Sequence, residues 1–492
     1  MTPGLIMTVV AIYSILLFVV VWITSRNADN ASYFIGNKSS RWYIVAYGMI
    51  GASLSGVTFM SVPGAVFTTE FSYMQVVFGY LFGYAAIALI LMPVYYRMNL
   101  TSIYTYLEER FGNASYKTGS FFFILSRTIG ASFRLYIVIN VLQTFVFDAW
   151  GVPFIVTVAT FMLLILLYTY QGGVKTIVWT DTLQTTFMLI TVVFSVVMIS
   201  GLLGISLGDL LGEVMRSDFS AIYVGDILSP NYFWKNFLGG AFIAIAMTGL
   251  DQEMMQKNLS CKNIGEAQKN MFSFAAVLVV VNFLFMILGA VLIFYAAKYQ
   301  IAIDPKHTDN LFPEIALNHL GTLTGLMFII GLISAAYPSA DGALTALTTA
   351  FCFDFLKLNK KPDLTEASLK RTRHLVHIAF AVILLLMIVL FRMINNDAVI
   401  RNLFKVAGYT YGPLLGLFAF GLLTRWNIKD KWVPIVCILS PAIAYFIGEN
   451  AATWFNGYKF GFEMIIVNGM ITFVGLALLI KPKEGGGLVH KS

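Results

Sequence analysis

Charge is what this sequence lacks. Of its 492 residues only 12% are Asp, Glu, Lys or Arg, while 58% are hydrophobic. A water-soluble chain carries about a quarter charged residues, so a soluble globular protein is excluded and a polytopic membrane protein is implied. Cysteine is scarce as well. Cys261, Cys352 and Cys437 lie far apart, without metal-ligand spacing, and are expected to be reduced thiols with no chemistry of their own. The five histidines, His307, His319, His374, His377 and His490, fall mostly in loops or at helix starts and form no haem-type pair. There is no glycine-rich nucleotide loop, no HExxH and no serine nucleophile elbow. An enzyme of those kinds is excluded, and without an ATP-binding motif any uphill work must draw on an ion gradient. The first apolar run, from Pro3 to Thr24, has no basic leader and no small-residue cleavage site. A retained helix is expected there, not a signal peptide.

What is present is a succession of apolar runs. At about 20 residues per span they read as about 13 helices: 4–25, 42–68, 73–96, 117–147, 152–170, 178–205, 233–251, 268–298, 321–356, 373–393, 401–424, 432–449 and 461–480. The runs 117–147 and 321–356 are long enough to require tilt or a cytosolic extension. No stretch between spans is long enough for a separate soluble domain. With the N-terminus outside, the inner side holds Arg26, Lys38, Arg41, Arg97, Arg110, Lys117, Lys175, Lys257, Lys262, Lys269, the 357–373 cluster, Arg425, Lys429, Lys431 and the tail. That is about 22 basic residues inside against about 7 outside, the asymmetry of the positive-inside rule. The net charge of +7 therefore faces the cytosol and anionic headgroups, and nucleic acid is not expected as a partner.

A few charges fall within the apolar runs, where by default they mark a pathway or an ion site. Asp181 opens the sixth run, Asp251 ends the seventh and Asp341 sits midway along the ninth. For Asp181 and Asp251 a solvated cap serves as well as a ligand. Lys405 is near an outer end and can snorkel. Arg127 and Arg134 are deeper and, seven residues apart, share one helix face.

The second run contains Gly51-Ala52-Ser53-Leu54-Ser55-Gly56-Val57-Thr58 and then Pro63-Gly64, residues that invite a helix to unwind. In lipid an unwound backbone survives only where it is buried in protein or lines a wet cavity. Broken helices at mid-membrane are where secondary transporters hold ions and substrate. Small-residue helix packing is the competing reading of Ser53, Ser55 and Thr58.

Four stretches, one of them overlapping this break, carry a resemblance. Gln171 to Gln184 (QGGVKTIVWTDTLQ) is similar to the signature of the sodium:solute symporter family, and Tyr411 to Phe418 (YGPLLGLF) to its later signature. Asp251-Gln252 with Gln256-Lys257, and Ser55-Gly56 through Pro63 to Phe67, also resemble the family. In order, these anchors run from the second span to the eleventh. The resemblance implies an all-α LeuT-type membrane fold: two inverted five-helix repeats, one extra helix before and two after. Applied to this chain, that gives an extra helix and cytosolic loop (1–41), a first repeat (42–205), an extracellular linker (206–232), a second repeat (233–424), and two final helices with a short tail (425–492).

It also implies a sodium site between the second and ninth helices. The Gly51 and Leu54 carbonyls would form one wall; the Ala335 carbonyl and the positions of Pro338 and Ser339 would form the other. Sodium is a hard cation, and carbonyls freed by unwinding plus a hydroxyl suit it. The chain departs from the pattern at Pro338, where the family usually has Ser or Thr. Proline supplies no hydroxyl but frees a carbonyl one turn earlier; an ordinary kink is the other reading. A second sodium would fall at Asp181, Asp341 and Gly342. Two carboxylates there cannot both stay ionised without a cation, although Asp341 could equally cap a local break. For the solute the resemblance implies Ser53, Ser55, Thr58, Gln75 and an arginine, Arg127 or Arg134, suited to pairing with a carboxylate. Asp251 and Gln252 are expected at a gate. The function implied is sodium-coupled symport of a small polar solute by alternating access, an organic anion such as sialic acid first. A neutral sugar, polyol or amino acid is the alternative solute, and a sodium channel the alternative class. The short tail argues against a sensor. The short loops suggest a bacterial inner-membrane protein, expected to act as a monomer with sodium, solute and bilayer as its partners.

Overall fold

The computed structural model describes residues 2–24, 40–169, 174–358, 365–394 and 399–481. Arg26, Lys38, Lys360, Lys361, Lys483 and Lys491 of the inner-side count, and the first three residues of the 171–184 motif, lie outside the described residues.

The main helices are α1 (Pro3–Thr24), α2 (Trp42–Ser53), α3 (Gly56–Thr69), α4 (Tyr73–Ala86), α5 (Asn113–Leu142), α6 (Phe154–Thr169), α7 (Val174–Leu203) and α8 (Phe233–Ala244). They continue with α9 (Gln252–Leu259), α10 (Ile264–Lys298), α11 (Gly321–Ala350), α12 (Glu366–Ile394), α13 (Val399–Leu423), α14 (Val433–Trp454) and α15 (Met464–Ala477). Nine described helices are long and apolar enough to cross a membrane, and a bent pair, Phe233–Gly249 with Gln252–Leu259, makes a tenth. Phe154–Thr169 and Met464–Ala477 are shorter apolar helices. The fold is helical and polytopic, as read from the sequence, while the count of thirteen spans stays an expectation.

Two helices are broken, and the breaks set the architecture. The Leu54 N–H closes the last bond of α2, to the Ile50 carbonyl at 2.7 Å, and α3 restarts with the Phe59 N–H on the Ser55 carbonyl. Between them Leu54 and Ser55 are extended (ψ 88° and −179°), so the carbonyls of the last turn of α2 have no intrahelical donor. The second break separates α8 from α9, which are bent by 66°. There the freed carbonyls of Gly249 and Leu250 accept from the Tyr95 and Tyr104 hydroxyls at 2.9 and 2.8 Å. Each break falls in the first helix of one expected repeat.

The apolar pattern ends the run 233–251 at Asp251 and puts Lys257 in an inner loop. Instead the chain turns into α9, all eight residues of which are buried. The cluster of polar residues after Asp251 ends the apolar run without ending the buried structure.

Helices approach closely where side chains are absent. Gly79 of α4 lies against the Phe237 carbonyl of α8, and Gly240 of α8 against the Val76 carbonyl of α4, so any Cβ there would force the pair apart. The C-terminal helices are tied in by Asp430. Its carboxylate accepts from the Ala114 and Ser115 N–H groups at 2.9 and 2.8 Å and so caps α5 from outside.

Candidate functional site

Between the broken α2–α3 segment, α4, α5, α8, α10 and α13 lies a small, partly open cavity. Ser53, Ser55 and Thr58 line it from the break, and Arg127 and Arg134 from α5. Tyr73, Tyr80 and Tyr84 of α4 form a hydroxyl-bearing wall, with the Tyr73 and Tyr80 hydroxyls 3.1 Å apart. Thr248 and Asn282 add polar groups, and Ile243, Met247, Met254, Leu278, Leu403 and Phe404 make the apolar remainder. The arginines are the charged groups among the lining residues. Gln75 stands outside the cavity. It points from α4 toward the start of α8, where its amide donates to the Asn231 carbonyl at 3.3 Å.

The two arginines differ in what they meet. Arg127 forms a buried ion pair with Glu253 and lies 3.8 Å from Asp251. Arg134 has no carboxylate within salt-bridge distance among the described residues, and its buried Nε has no hydrogen-bond partner. Its guanidinium borders the cavity unpaired.

The sodium-site candidates sit where α2, α3, α7 and α11 pack together. Gly51 lies against α7, where a Cβ would strike the Thr185 hydroxyl. The carbonyls of Gly51 and Leu54 are among those freed by the break. On α11, Ala335, Pro338 and Ser339 are all buried. Proline removes the N–H that would bond to the Ser334 carbonyl, and the Ser339 hydroxyl is buried with no hydrogen-bond partner. Freed carbonyls and an unpartnered buried hydroxyl fit a hard monovalent cation.

The second set is arranged differently. Asp181 and Asp341 are both fully buried and within electrostatic reach of each other and of Lys257. Each has its own hydrogen-bond partners among the described residues. Lys257 Nζ lies 2.7 Å from Asp181 Oδ2, and Asp341 accepts from the Tyr168 hydroxyl at 2.9 Å and the Gly342 N–H at 2.5 Å. Gly342 faces Glu253: a Cβ there would run into the Glu253 carboxylate.

Asp251 is fully buried, not at an interface. Its Oδ1 caps α9 through the Glu253 and Met254 N–H groups at 3.0 and 3.2 Å, and its Oδ2 accepts from the Tyr411 hydroxyl at 2.9 Å. Gln252 clamps α9 to the loop after α4, accepting from the Ile103 N–H at 3.0 Å and donating to the Thr101 carbonyl at 2.7 Å.

Sequence reasoning missed Glu253, Lys257 and the Tyr73, Tyr80, Tyr84 wall. Glu253 and Lys257 stand at the i, i+4 spacing of a helical ion pair, directly after an intramembrane aspartate. The tyrosines recur at 7 and 4 residues along one helix face. Both signals were legible, but an abrupt run of polar residues looks like a loop.

Comparison with known proteins gives these features a setting. The chain is 28% identical over 450 residues to the sodium-coupled monocarboxylate transporter 2 of Danio rerio, covering 87% of this chain and 68% of the relative. It is 22% identical over 476 residues to the sodium/sialic acid symporter SiaT of Proteus mirabilis, covering 93% and 92%. Among solved structures, a Na+-coupled sialic acid symporter in a substrate-bound outward-open state matches with a TM-score of 0.81. That match has 19% identity over 97% of this chain and 98% of the other. A nucleobase-cation-symport-1 family transporter matches at 0.54 with 14% identity, over 92% and 94%. The family model of the sodium:solute symporters matches residues 33–428, and this chain belongs to that family: a multi-pass, sodium-coupled solute transporter.

Proposed function

We propose that this symporter carries a small organic anion inward with sodium, and that Arg134 holds the carboxylate of the solute. One observation carries this reading: a half-buried guanidinium bordering the cavity, its Nε buried without a hydrogen-bond partner and no carboxylate within salt-bridge distance among the described residues. A partly desolvated charge without an ion-pair partner is costly, and a carboxylate from solution is its natural partner, forming charge-assisted and bidentate hydrogen bonds. Relatives named for sialic acid and for monocarboxylates share that one group. Ser53, Ser55, Thr58, Thr248 and Asn282 then serve the hydroxyls of the solute, and the three tyrosines shape its pocket.

Sodium binds between the Gly51 and Leu54 carbonyls on α2 and Ala335 and Ser339 on α11, with Pro338 contributing no hydroxyl. Held there, it ties the broken helix to α11 and favours the conformation that receives solute from outside. The ion drives transport only by binding the two conformations unequally. Asp251 and Gln252, which fix α9 in place, belong to the inner gate. The N-terminus lies outside and the C-terminus in the cytosol of a bacterial inner membrane, the repeats span 42–205 and 233–424, and the monomer is the working unit.

Purified protein in liposomes with an imposed sodium gradient, offered labelled sialic acid, lactate, glucose and proline, tests this. The expected result is accumulation of an acid, driven by the gradient and lost in Arg134→Ala. Accumulation indifferent to sodium would refute the mechanism, and preference for glucose or proline would refute the anion.

A further inference from the structure

Lys257 is almost fully buried, at 2% exposure, in a place where a cation was to be expected but not a lysine. Its ammonium lies 2.7 Å from Asp181 Oδ2 and 3.2 Å from Glu253 Oε1. Asp181 in turn adjoins the sodium-site wall: a Cβ at Gly51 would meet the Asp181 carbonyl at 3.3 Å, and one at Gly48 the Asp181 side chain at 3.4 Å. Asp341 lies within electrostatic reach of both Asp181 and Lys257. Two carboxylates this close in a dry interior cannot both stay ionised without a cation beside them. A mobile sodium would supply it, but it would need oxygens arranged around the ion. In this structure it is Lys257 Nζ that stands within bonding distance of Asp181 Oδ2, while Asp341 is turned to the Tyr168 hydroxyl and the Gly342 N–H.

We infer that Lys257 is a tethered cation holding the second cation position beside Asp181, so that this symporter binds a single sodium ion where the Asp181–Asp341 pair would otherwise take another. The geometry supports this in three ways. Lys257 is carried on α9, a short helix set by the break at Asp251, and its stem runs through buried surroundings straight to Asp181. Glu253, one turn before it on the same helix, accepts a second ammonium hydrogen at 3.2 Å and orients the head. Asp181 Oδ1 is buried and without a hydrogen-bond partner, which leaves a lone oxygen free for a cation once the ammonium is gone. The same residues also join the two binding regions. Arg127, which lines the solute cavity, pairs with Glu253; Glu253 pairs with Lys257; and Lys257 pairs with Asp181. A lysine in this chain cannot leave with the solute, whereas a second sodium would.

The inference rests on sodium binding at the main site, and one measurement separates the two claims. The full chain is purified in detergent and unfolded by denaturant across sodium concentrations, with choline holding ionic strength constant. Well above the dissociation constant, the folded-to-unfolded ratio rises about tenfold per decade of sodium for one bound ion and about a hundredfold for two. The wild type is expected to show about tenfold. No rise at all would refute sodium symport itself, and a hundredfold rise would overturn the role given to Lys257. Lys257→Met is expected to move to about a hundredfold, because a free ion takes the vacated place; a tenfold rise in that variant would overturn the inference. If Lys257→Met folds only in sodium, the free ion has replaced the tethered one and the inference stands. If it folds at no sodium concentration, the ammonium is a structural prop and the inference fails. Lys257→Arg, and the pair Lys257→Met with Asp181→Asn, are both expected to return to tenfold; a hundredfold rise in the paired variant would place the extra ion elsewhere and overturn it.

Discussion

Arg127 and Arg134 lie two turns apart on one face of α5, both on the cavity wall, and among the described residues only Arg127 meets carboxylates within salt-bridge distance. One arginine is therefore taken up by an ion pair and the other faces the cavity without one, a division that residue type and spacing do not reveal.

Arg134→Gln is expected to lower uptake of an acid solute at least a hundredfold, about 3 kcal/mol for a lost charge-assisted pair. Sodium binding should persist, because the main sodium candidates lie on α2 and α11. Direct binding of labelled acid to the purified variant, beside its sodium titration, checks both halves. Equal loss of both would mean that Arg134 supports the fold and not the ligand.

Arg127→Met should fail differently. Glu253 would be left as a buried charge with only Lys257 to meet it, a situation that costs about 3–5 kcal/mol. The expected outcome is a large fall in denaturation midpoint even without solute. Arg127→Met with Glu253→Met should recover much of it, since apolar replacement of a whole buried pair is often neutral. If the double variant were no more stable than the single, the pair would not be what Arg127 stabilises.

These contrasts show how far the sequence could be read. The apolar runs, the weak helix around Gly51–Thr58 and the two arginines were all visible, because membrane burial imposes length, composition and rarity of charge on a chain. Gln75 was not placed correctly by residue type, since an amide facing α8 and one facing the cavity look the same in sequence. Lys257 misled for a physical reason: a lysine after an apolar run counts as a loop residue unless the helix turns by 66° and carries it back inside. The pairing of Asp181 with Lys257 depends on that turn, and the fit of Glu253 beside Lys257 depends on the absence of a side chain at Gly342.

Pro338 gives a gain-of-affinity test. Pro338→Ser would place a second hydroxyl beside the unpartnered Ser339 Oγ, and the expected effect is about tenfold tighter sodium binding, about 1.4 kcal/mol. Ser339→Ala should weaken binding by a similar factor. Sodium dependence of solute uptake measures both. If neither moved it, the ion would not sit against α11.

Gly342→Ala tests the packing under the ion-pair chain. The added Cβ meets the Glu253 carboxylate, and overpacking of a tight interior costs about 1–3 kcal/mol. A lower denaturation midpoint is expected, with a larger loss when Glu253 is present than in a Glu253→Ala background. Equal losses in the two backgrounds would show that Glu253 is not what Gly342 accommodates.

Cys261 supplies a native reporter of the proposed inner gate. It follows α9, is fully buried, and burial first, with the Glu266 carboxylate second, pushes its thiol up to about 12. Only the thiolate reacts with a maleimide, so at pH 8 roughly one molecule in ten thousand is in the reactive form. In a Cys352→Ser, Cys437→Ser background, labelling should rise about tenfold per pH unit with no plateau below that value. Exposure to water relaxes the thiol toward about 8.5, which raises the reactive fraction at pH 8 and brings the plateau down to ordinary alkaline pH. Gln252→Leu removes both bonds by which α9 holds the Thr101–Ile103 segment, and leaves that backbone to find water. The variant should label at least tenfold faster at pH 8, and if sodium favours the outward conformation as proposed, it should slow labelling in both proteins. Identical rates in wild type and variant would mean that Gln252 does not hold the inner face shut. Sodium-insensitive rates would separate this face from the ion site altogether.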